Sequence, residues 1–194
     1  LFRHGAVQET EEKIFLGRTD LPLSTAGLDQ AEAWSASLGG RLPGRIVSSP
    51  LCRASEFARI LVGDRAGEVM IHPAFSEIDL GAWDGRPMSE IRSKDPVSWK
   101  ARGEDFAGFR PPGGESFADL QDRAVPAFER LTGESDTDLV LVCHAGVNRV
   151  LLCYVLGMPL GNLFRIGQDP GCLNRIEKKN DRWRIDAMNI NIRS

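Results

Sequence analysis

The sequence predicts an α/β protein, a three-layer α/β/α sandwich with a mainly parallel sheet. Short apolar strands alternate with segments of helical spacing along most of the 194 residues, a pattern typical of parallel sheets covered by helices. The run Leu139-Val140-Leu141-Val142 is apolar at every position, as expected for a central strand that is buried on both faces. The chain shows no internal repeat or linker, so we expect a single domain over residues 1–194.

The first half of the chain predicts three strands and two helices. Ser24 is a good N-cap, and the apolar residues after it recur at helical spacing until the glycines Gly39-Gly40. The predicted elements are a strand ending at Phe2, a helix from Ser24 to Gly39-Gly40, a strand over 45–49, a helix over 51–62 and a strand over 69–72.

The second half predicts three more helices and three more strands. Residues 94–114 show no regular period, so we expect a lid or substrate loop there, with a partly disordered insertion as the alternative. The predicted elements are a short helix over 88–92, a helix from Ser116 to Leu131 kinked at Pro126, a strand over 138–143, a helix over 145–156 and two edge strands over 172–177 and 183–186.

Composition and charge narrow the class of partner. The net charge is -3 without a basic stripe, so we expect no nucleic acid partner. No apolar run approaches the roughly 20 residues that span a bilayer, so we expect no membrane partner. Four cysteines without a CxxC pair indicate reduced thiols in a cytoplasmic protein rather than a metal or redox site. The chain begins without Met inside a predicted strand, so we expect residues upstream of Leu1.

Basic side chains follow three predicted strands, at the point where each strand ends. Arg3 and His4 end the first, Arg53 lies in the helix after the second, and His144 follows the most apolar one. Because the carboxyl ends of parallel strands meet at one edge of a sheet, we expect these side chains to converge. Arginine forks and a helix N-terminus suit a dianionic phosphate. Glu77, in the loop after the third strand, is placed to supply a proton at the border of this site.

Several short motifs, taken jointly and in their order, resemble the histidine phosphatase superfamily, which has the phosphoglycerate mutase-like fold. Together they extend over nearly the whole chain. The motifs are Arg3-His4-Gly5, Gly17-Arg18-Thr19-Asp20-Leu21-Pro22-Leu23-Ser24, Ser48-Ser49-Pro50-Leu51-Cys52-Arg53-Ala54, residues 77–85, Gly114-Glu115-Ser116 and Val142-Cys143-His144-Ala145-Gly146-Val147. The resemblance implies phosphoryl transfer from a small-molecule phosphomonoester, without a metal or any other cofactor.

The resemblance also implies a role for each candidate residue. His4 attacks phosphorus and becomes a phosphohistidine. Glu77 protonates the leaving oxygen and then deprotonates the water that hydrolyses the intermediate. The equatorial phosphate oxygens are held by Arg3, Arg53 and His144. Further phosphate contacts are implied for Gly17, Thr19 and Ala145.

Two departures from the family pattern follow the first motif. Ala6-Val7 stand where many relatives carry Glu-Thr, and Thr10 stands where an Asn is expected. The chain is also short for a phosphoglycerate mutase of this fold, which favours a phosphatase. The runs 15–24 and 166–171 resemble α-ribazole phosphatases, which implies a substrate of cobalamin biosynthesis. A broad-specificity phosphatase and a phosphoglycerate mutase are the alternatives, and we expect a monomer or a homodimer.

One alternative active site lies within the chain itself. Residues from Cys143 to Arg149 fit CxxGxxR, the phosphate loop of cysteine-dependent phosphatases. A thiolate there would be activated by the helix N-terminus and by Arg149. Against this hypothesis, Val142 and Val150 replace the usual His and the usual Ser or Thr, and the basic residues after the first two strands are left unexplained. A non-catalytic phosphate-binding or scaffold module is a further alternative.

Overall fold

The structure is a computed structural model that describes residues 1–39, 42, 44–134, 137–180 and 182–192, without the side chains of 66 and 67. Within these ranges, six strands form one mixed sheet in the order β3-β2-β4-β1-β5-β6. The strands are β1 Phe2–Arg3, β2 Arg45–Ser48, β3 Met70–Ile71, β4 Leu139–Cys143, β5 Leu173–Lys179 and β6 Arg182–Ile190. The first four in this order pair in parallel and β5 and β6 pair antiparallel, which confirms the predicted fold class.

Six α-helices are found in the described part of the chain. They are α1 Thr25–Leu38, α2 Cys52–Val62, α3 Met88–Lys94, α4 Pro96–Glu104, α5 Phe117–Gly133 and α6 Ala145–Leu156. Ser24 and Ser116 cap α1 and α5 by accepting backbone amides of the first turn. Gly39 ends α1 with a φ of 54°, in the left-handed region. Gly40 of the predicted stop lies outside the described residues, and α5 continues past Pro126.

The helices cover the two faces of the sheet because side chains alternate along each strand. Val140 and Val142 of β4 pack with α1 and α2, against residues such as Trp34 and Phe57. Leu141, between them, is fully buried on the other face with residues of α5 and α6. Truncating such a residue to alanine costs about 2–5 kcal/mol of stability. The sheet is therefore held from both sides, which fixes the positions of the strand ends.

The segment 94–114, where the sequence shows no regular period and predicts a lid or substrate loop, contains helix α4 in its first half. Asp95 caps the helix by accepting the Ser98 amide, and Pro96 is its first residue. None of the residues of α4 is fully buried. A helix that buries no complete apolar stripe leaves no 3.6-residue pattern in the sequence, which is why pattern reading missed it.

The carboxyl ends of β1, β4 and β2 lie side by side at one edge of the sheet. Arg3 pairs with Cys143, and Ser48 pairs with Val142. The backbone ladder continues one residue further, because the His4 amide donates to the Cys143 carbonyl at 3.0 Å. The residues that follow the three strands therefore meet at almost the same height.

Candidate active site

His4 is a buried histidine, 4% exposed, whose ring is fixed by its own backbone neighbour. Its Nδ1 lies 2.7 Å from the Gly5 carbonyl oxygen. Because a carbonyl oxygen only accepts, the proton of the neutral ring is on Nδ1 and the lone pair is on Nε2. Position 5 requires glycine because its backbone packs against α1, where a Cβ would lie 2.5 Å from the Gly27 carbonyl oxygen. His4 therefore presents an unprotonated Nε2.

His144 is the N-cap residue of α6 and lies next to His4, with the two ring centroids 5.1 Å apart. It is fully buried, and its Nε2 is 2.7 Å from the Ser49 hydroxyl oxygen. That oxygen also accepts the Leu51 amide at 3.2 Å. With the Ser49 hydroxyl donating to Nε2, the ring proton is on Nδ1, which has no partner among the described residues. The orientation is thus the reverse of that in His4.

Arg53 is 1% exposed and is held by a turn of the 17–19 segment. Its two terminal nitrogens donate to the carbonyl oxygens of Gly17, at 2.6 Å, and Thr19, at 2.8 Å. The same turn is fixed from its other side by Asp84, whose carboxylate accepts the amides of residues 17–19, each at 2.8 Å. The Asp84 carboxylate therefore orders the carbonyls that orient the guanidinium.

Arg3 is oriented from the opposite side of the site, by the loop before β5. One terminal nitrogen donates to the Gln168 carbonyl oxygen at 2.5 Å. The Gln168 side chain is itself buried, where it accepts the Asn148 amide and donates to Asn174. This buried amide network fixes the loop to α6 and β5, because a misplaced loop would leave several buried polar groups unpaired.

Glu77 lies 7% exposed against the N-terminus of α6. Its Oε2 accepts the Gly146 amide at 3.0 Å, and its Oε1 accepts the Ile78 amide at 2.9 Å. A Cβ at position 146 would lie 2.3 Å from the Glu77 carboxylate, so this contact requires glycine. The helix dipole favours a negative charge there.

The backbone that carries Glu77 is fastened by Arg123 of α5. The Arg123 guanidinium donates to three loop carbonyls, those of Ala74, Ser76 and Glu77, at 2.8–3.0 Å. Its remaining N–H groups donate to the Glu115 carboxylate at 2.9 and 3.0 Å. One arginine fork therefore satisfies the loop that would otherwise leave its carbonyls unpaired.

Three polar atoms of this region have no partner. Among the residues that the structure describes, the buried side-chain nitrogen and oxygen atoms without a hydrogen bond are Arg3 Nε, Arg53 Nε and His144 Nδ1. Buried polar groups are nearly always paired. All three belong to side chains around the His4 ring, so together they offer N–H groups to an anion at that point.

The electrostatics keep both rings neutral. Burial, followed by the positive charges of Arg3 and Arg53, lowers the pKa of His4 well below 6.5, while the hydrogen bond to Gly5 opposes this. Burial is also the main cause that lowers the pKa of His144, and His4 and the arginines add to it. A neutral imidazole next to two guanidinium groups is suited to attack on an electrophile that carries negative charge.

The remaining sequence candidates occupy supporting positions. The amides of Gly17 and Thr19 donate to Asp84 and their carbonyls accept from Arg53. These backbone groups are therefore engaged with Asp84 and Arg53, and the expectation that Gly17 and Thr19 contact phosphate stays a prediction. Ala145 is the first residue of α6 and lies beside His144 at the positive end of that helix.

Sequence reasoning missed the residues that orient the site. Ser49, Gln168 and Arg123 each make the hydrogen bonds described above, and Asp84 binds the 17–19 turn. Ser49, Asp84 and Gln168 lie within the runs whose residues resemble the family, but their partners are distant in sequence. Arg123 carries no local signal at all, because an arginine on an amphipathic helix is usually a solvated residue.

The alternative centred on Cys143 does not match the geometry. Its thiol is fully buried and donates to the Asn148 side-chain oxygen at 2.9 Å. Burial raises the pKa of this thiol, whereas a nucleophilic cysteine needs a lowered one. The Arg149 guanidinium donates through Nε to the Ile166 carbonyl at 3.0 Å, rather than to the sulfur.

Two absences apply to the described ranges only. No helix there combines the length and apolar character needed to cross a bilayer. The same residues contain no group of three or more His, Cys, Asp or Glu side chains that could hold a metal ion.

Comparisons with known proteins agree on one family. A glucosyl-3-phosphoglycerate phosphatase of Mycolicibacterium vanbaalenii is 32% identical, over 97% of this chain and 92% of the relative. The adenosylcobalamin/α-ribazole phosphatase of Escherichia coli is 28% identical, over 91% and 88%. The crystal structure of a putative α-ribazole-5′-P phosphatase from E. coli superposes with a TM-score of 0.89 at 26% identity, over 97% of this chain and 93% of that one.

A mycobacterial glucosyl-3-phosphoglycerate phosphatase, solved as a complex with VO3, superposes with a TM-score of 0.84 at 31% identity, over 97% of this chain and 96% of that one. The profile of the histidine phosphatase superfamily (branch 1) matches residues 1–191. The chain is a phosphatase that belongs to the histidine phosphatase superfamily.

Proposed function

We propose that this phosphatase hydrolyses small phosphomonoesters through a phosphohistidine on His4, without a metal or other cofactor. The observation that carries this proposal is the set of three unpartnered buried nitrogens on Arg3, Arg53 and His144. They surround a neutral imidazole whose Nε2 has no proton. Positioning and charge stabilisation provide most of the catalysis in phosphoryl transfer, and these groups supply both.

In the first step, His4 Nε2 forms a bond to phosphorus as the bond to the leaving oxygen breaks. The positive charge that develops on the ring is stabilised by the hydrogen bond from Nδ1 to the Gly5 carbonyl, at 2.7 Å. Arg3, Arg53 and His144 donate to the equatorial oxygens, on which the negative charge is spread. The carboxyl group of Glu77 gives its proton to the leaving alkoxide.

In the second step, the Glu77 carboxylate takes a proton from a water molecule, and the resulting hydroxide attacks phosphorus. The phosphorus–nitrogen bond breaks, and its electron pair returns to Nε2 of His4. Glu77 thus gives up one proton in the first step and regains one in the second, so both Glu77 and His4 end the cycle as they began it. The two backbone amides that bind the Glu77 carboxylate, those of Ile78 and Gly146, hold it in place through both steps.

The named relatives suggest two substrate classes for this chain. One is α-ribazole 5′-phosphate, a nucleotide-like phosphomonoester of cobalamin biosynthesis, by analogy with the E. coli relative. The other is glucosyl-3-phosphoglycerate, by analogy with the mycobacterial relatives. We further propose that the protein acts in the cytoplasm as a monomer or homodimer, and that neither nucleic acid nor membrane is a partner.

The test is turnover of a phosphomonoester panel together with trapping of the phosphoenzyme. We expect radiolabelled phosphate to appear in an acid-labile adduct with the wild-type chain and with His72→Ala, but not with His4→Ala. His72 is a suitable control because it is a histidine outside the site, whose Nδ1 accepts the Ala74 amide.

Three results would overturn the proposal. Labelling that persists in His4→Ala would place the nucleophile elsewhere. Bound phosphate without turnover of p-nitrophenyl phosphate would indicate a binding module. Isomerisation of phosphoglycerates faster than their hydrolysis would indicate a mutase.

A further inference from the structure

Two arginines converge on one exposed aromatic ring outside the phosphate site. The guanidinium carbons of Arg102, on α4, and Arg149, on α6, lie 5.6 and 5.3 Å from the centroid of the Phe164 ring. Arg102 also lies over Phe15, at 5.3 Å, and over Phe106, at 5.1 Å. We refer to these five residues as the rim.

Neither rim arginine forms an ion pair with a carboxylate of the residues that the structure describes. Within the described chain, Arg102 has no hydrogen bond or ion pair, and Arg149 donates only through Nε, to Ile166. Their other nitrogens are not among the fully buried unpartnered atoms, so they are open to a ligand. By contrast, Arg18, Arg110 and Arg123 each pair with a carboxylate. Burial lowers the pKa of both rim arginines, consistent with charges held partly out of water.

The rim adjoins the phosphate site on two sides. Arg149 lies on α6, one turn beyond His144, and its charge acts on both Arg3 and Glu77. Arg102 reaches Phe15, two residues before Gly17, whose carbonyl holds Arg53. Both guanidinium groups are therefore tied to elements that carry the site, α6 and the segment that leads to Gly17.

We propose that Arg102 and Arg149 form a second anion subsite, which makes phosphorylated hydroxy acids the preferred substrate class. This inference rests on the proposed function. A guanidinium fork matches a carboxylate in shape and charge, and a ring face keeps each fork in place through cation–π contact. A nucleoside monophosphate has no carboxylate to place there, so the rim favours an acid such as a phosphoglycerate over a nucleotide-like ester.

The experiment compares 3-phosphoglycerate with glycerol 3-phosphate, which differs from it by a hydroxymethyl group in place of the carboxylate. We expect kcat/KM of the wild-type chain to be about 10–100-fold higher for the acid, the range typical of a charged hydrogen-bonded contact. Arg102→Gln and Arg149→Gln should each lower this ratio about tenfold, whereas Arg102→Lys should lower it less because the charge is kept.

Arg130→Gln is the matched control, since Arg130 is an exposed arginine near the end of α5, next to Leu131, whose carbonyl accepts from Arg45 at the start of β2. It should leave the ratio unchanged. Equal kcat/KM for the two substrates in the wild type, equal losses for both in the variants, or a preference for adenosine 5′-monophosphate would each overturn the subsite. The proposed function fails separately, if p-nitrophenyl phosphate is not hydrolysed and His4 is not labelled.

Discussion

The candidate phosphate-binding residues and the rim both contain two arginines, but most of their side chains are held in different ways. Arg3, His4, Arg53, Glu77 and His144, which we call the floor, are each fixed by a hydrogen bond to the backbone or to a buried hydroxyl. In the rim, Arg102 has only ring contacts, and Phe164 is 42% exposed.

The difference follows from what each region needs. A reaction at phosphorus requires groups placed within a fraction of an ångström, and backbone partners on adjacent strands provide this. A region that contacts the variable part of a substrate needs no such rigidity. The comparison therefore suggests that the floor sets the chemistry and the rim sets the choice of substrate.

The largest effect is expected from breaking an arginine fork of the floor. Arg53→Lys keeps the charge, but a single ammonium nitrogen cannot reproduce the planar fork, whose terminal nitrogens bind the Gly17 and Thr19 carbonyls while Nε remains for a phosphate oxygen. We expect kcat/KM for p-nitrophenyl phosphate to fall about 10²–10³-fold, as for the loss of an oxyanion donor. Arg59→Lys, an exposed change on the same helix, is the control. A loss of less than threefold would contradict the proposed role of Arg53 in phosphate binding.

A somewhat smaller and selective effect is expected from Glu77→Gln. An alkyl leaving group needs the proton that this variant lacks, whereas p-nitrophenolate leaves without one. We expect phosphohistidine formation, measured by rapid quench, to slow about 10²-fold with glycerol 3-phosphate and much less with p-nitrophenyl phosphate. Glu56→Gln, an exposed carboxylate on α2, is the control. Equal losses for both esters would rule out the acid role.

Arg123→Gln tests whether the support of the floor acts through Glu77. The change removes donors to the loop carbonyls of Ala74, Ser76 and Glu77. We expect a loss of about 1–3 kcal/mol in the free energy of unfolding, from unpaired polar groups. We also expect about tenfold slower phosphohistidine formation with the alkyl ester, a small part of the effect of general acid catalysis. If both esters slow equally, Arg123 is merely structural.

The buried histidines of the floor predict a pH dependence of stability. Their pKa values are lowered in the folded state, mainly by burial, so the unfolded chain binds more protons below about pH 6.5. Stability is therefore full above that pH and falls as the pH drops below it, by about 1.4 kcal/mol per pH unit for each histidine.

Urea unfolding of the wild-type chain and of His144→Asn, between about pH 7.5 and 5.5, measures this slope. The variant should show the weaker dependence, since one proton-linked group is missing. An identical slope in both chains would show that His144 is not the group responsible.

The smallest effect is expected from Cys143→Ser. The thiol is buried beneath the floor and donates to Asn148, a bond that a hydroxyl also makes. We expect kcat/KM for p-nitrophenyl phosphate to change less than about threefold, because serine has nearly the same size and shape as cysteine and volume-conserving changes are well tolerated. Abolished turnover in a folded variant would revive the cysteine-dependent hypothesis.

The local pattern of apolar residues predicted most of the strands and helices. It failed where an element buries too few side chains to leave a repeating apolar pattern in the sequence. The strand β4 and the helix α6 were predicted within a residue, because continuous apolar runs and a helix start are local signals. Helix α4 was missed because it buries no complete face. Strand β6 extends beyond its predicted end, where exposed and half-buried residues alternate.

The sequence by itself determined the fold class and the residue types available for chemistry. Apolar runs, helix caps and the basic residues after three strands each involve residues that are close together in the sequence, so they can be recognised without a structure. Only the tertiary structure decided which partners orient them: Asp84 for the 17–19 turn, Gln168 for Arg3 and Arg123 for the loop of Glu77. Those contacts join residues far apart in the chain, and hydrogen-bond geometry between distant segments exists only once the sheet and its helices have packed.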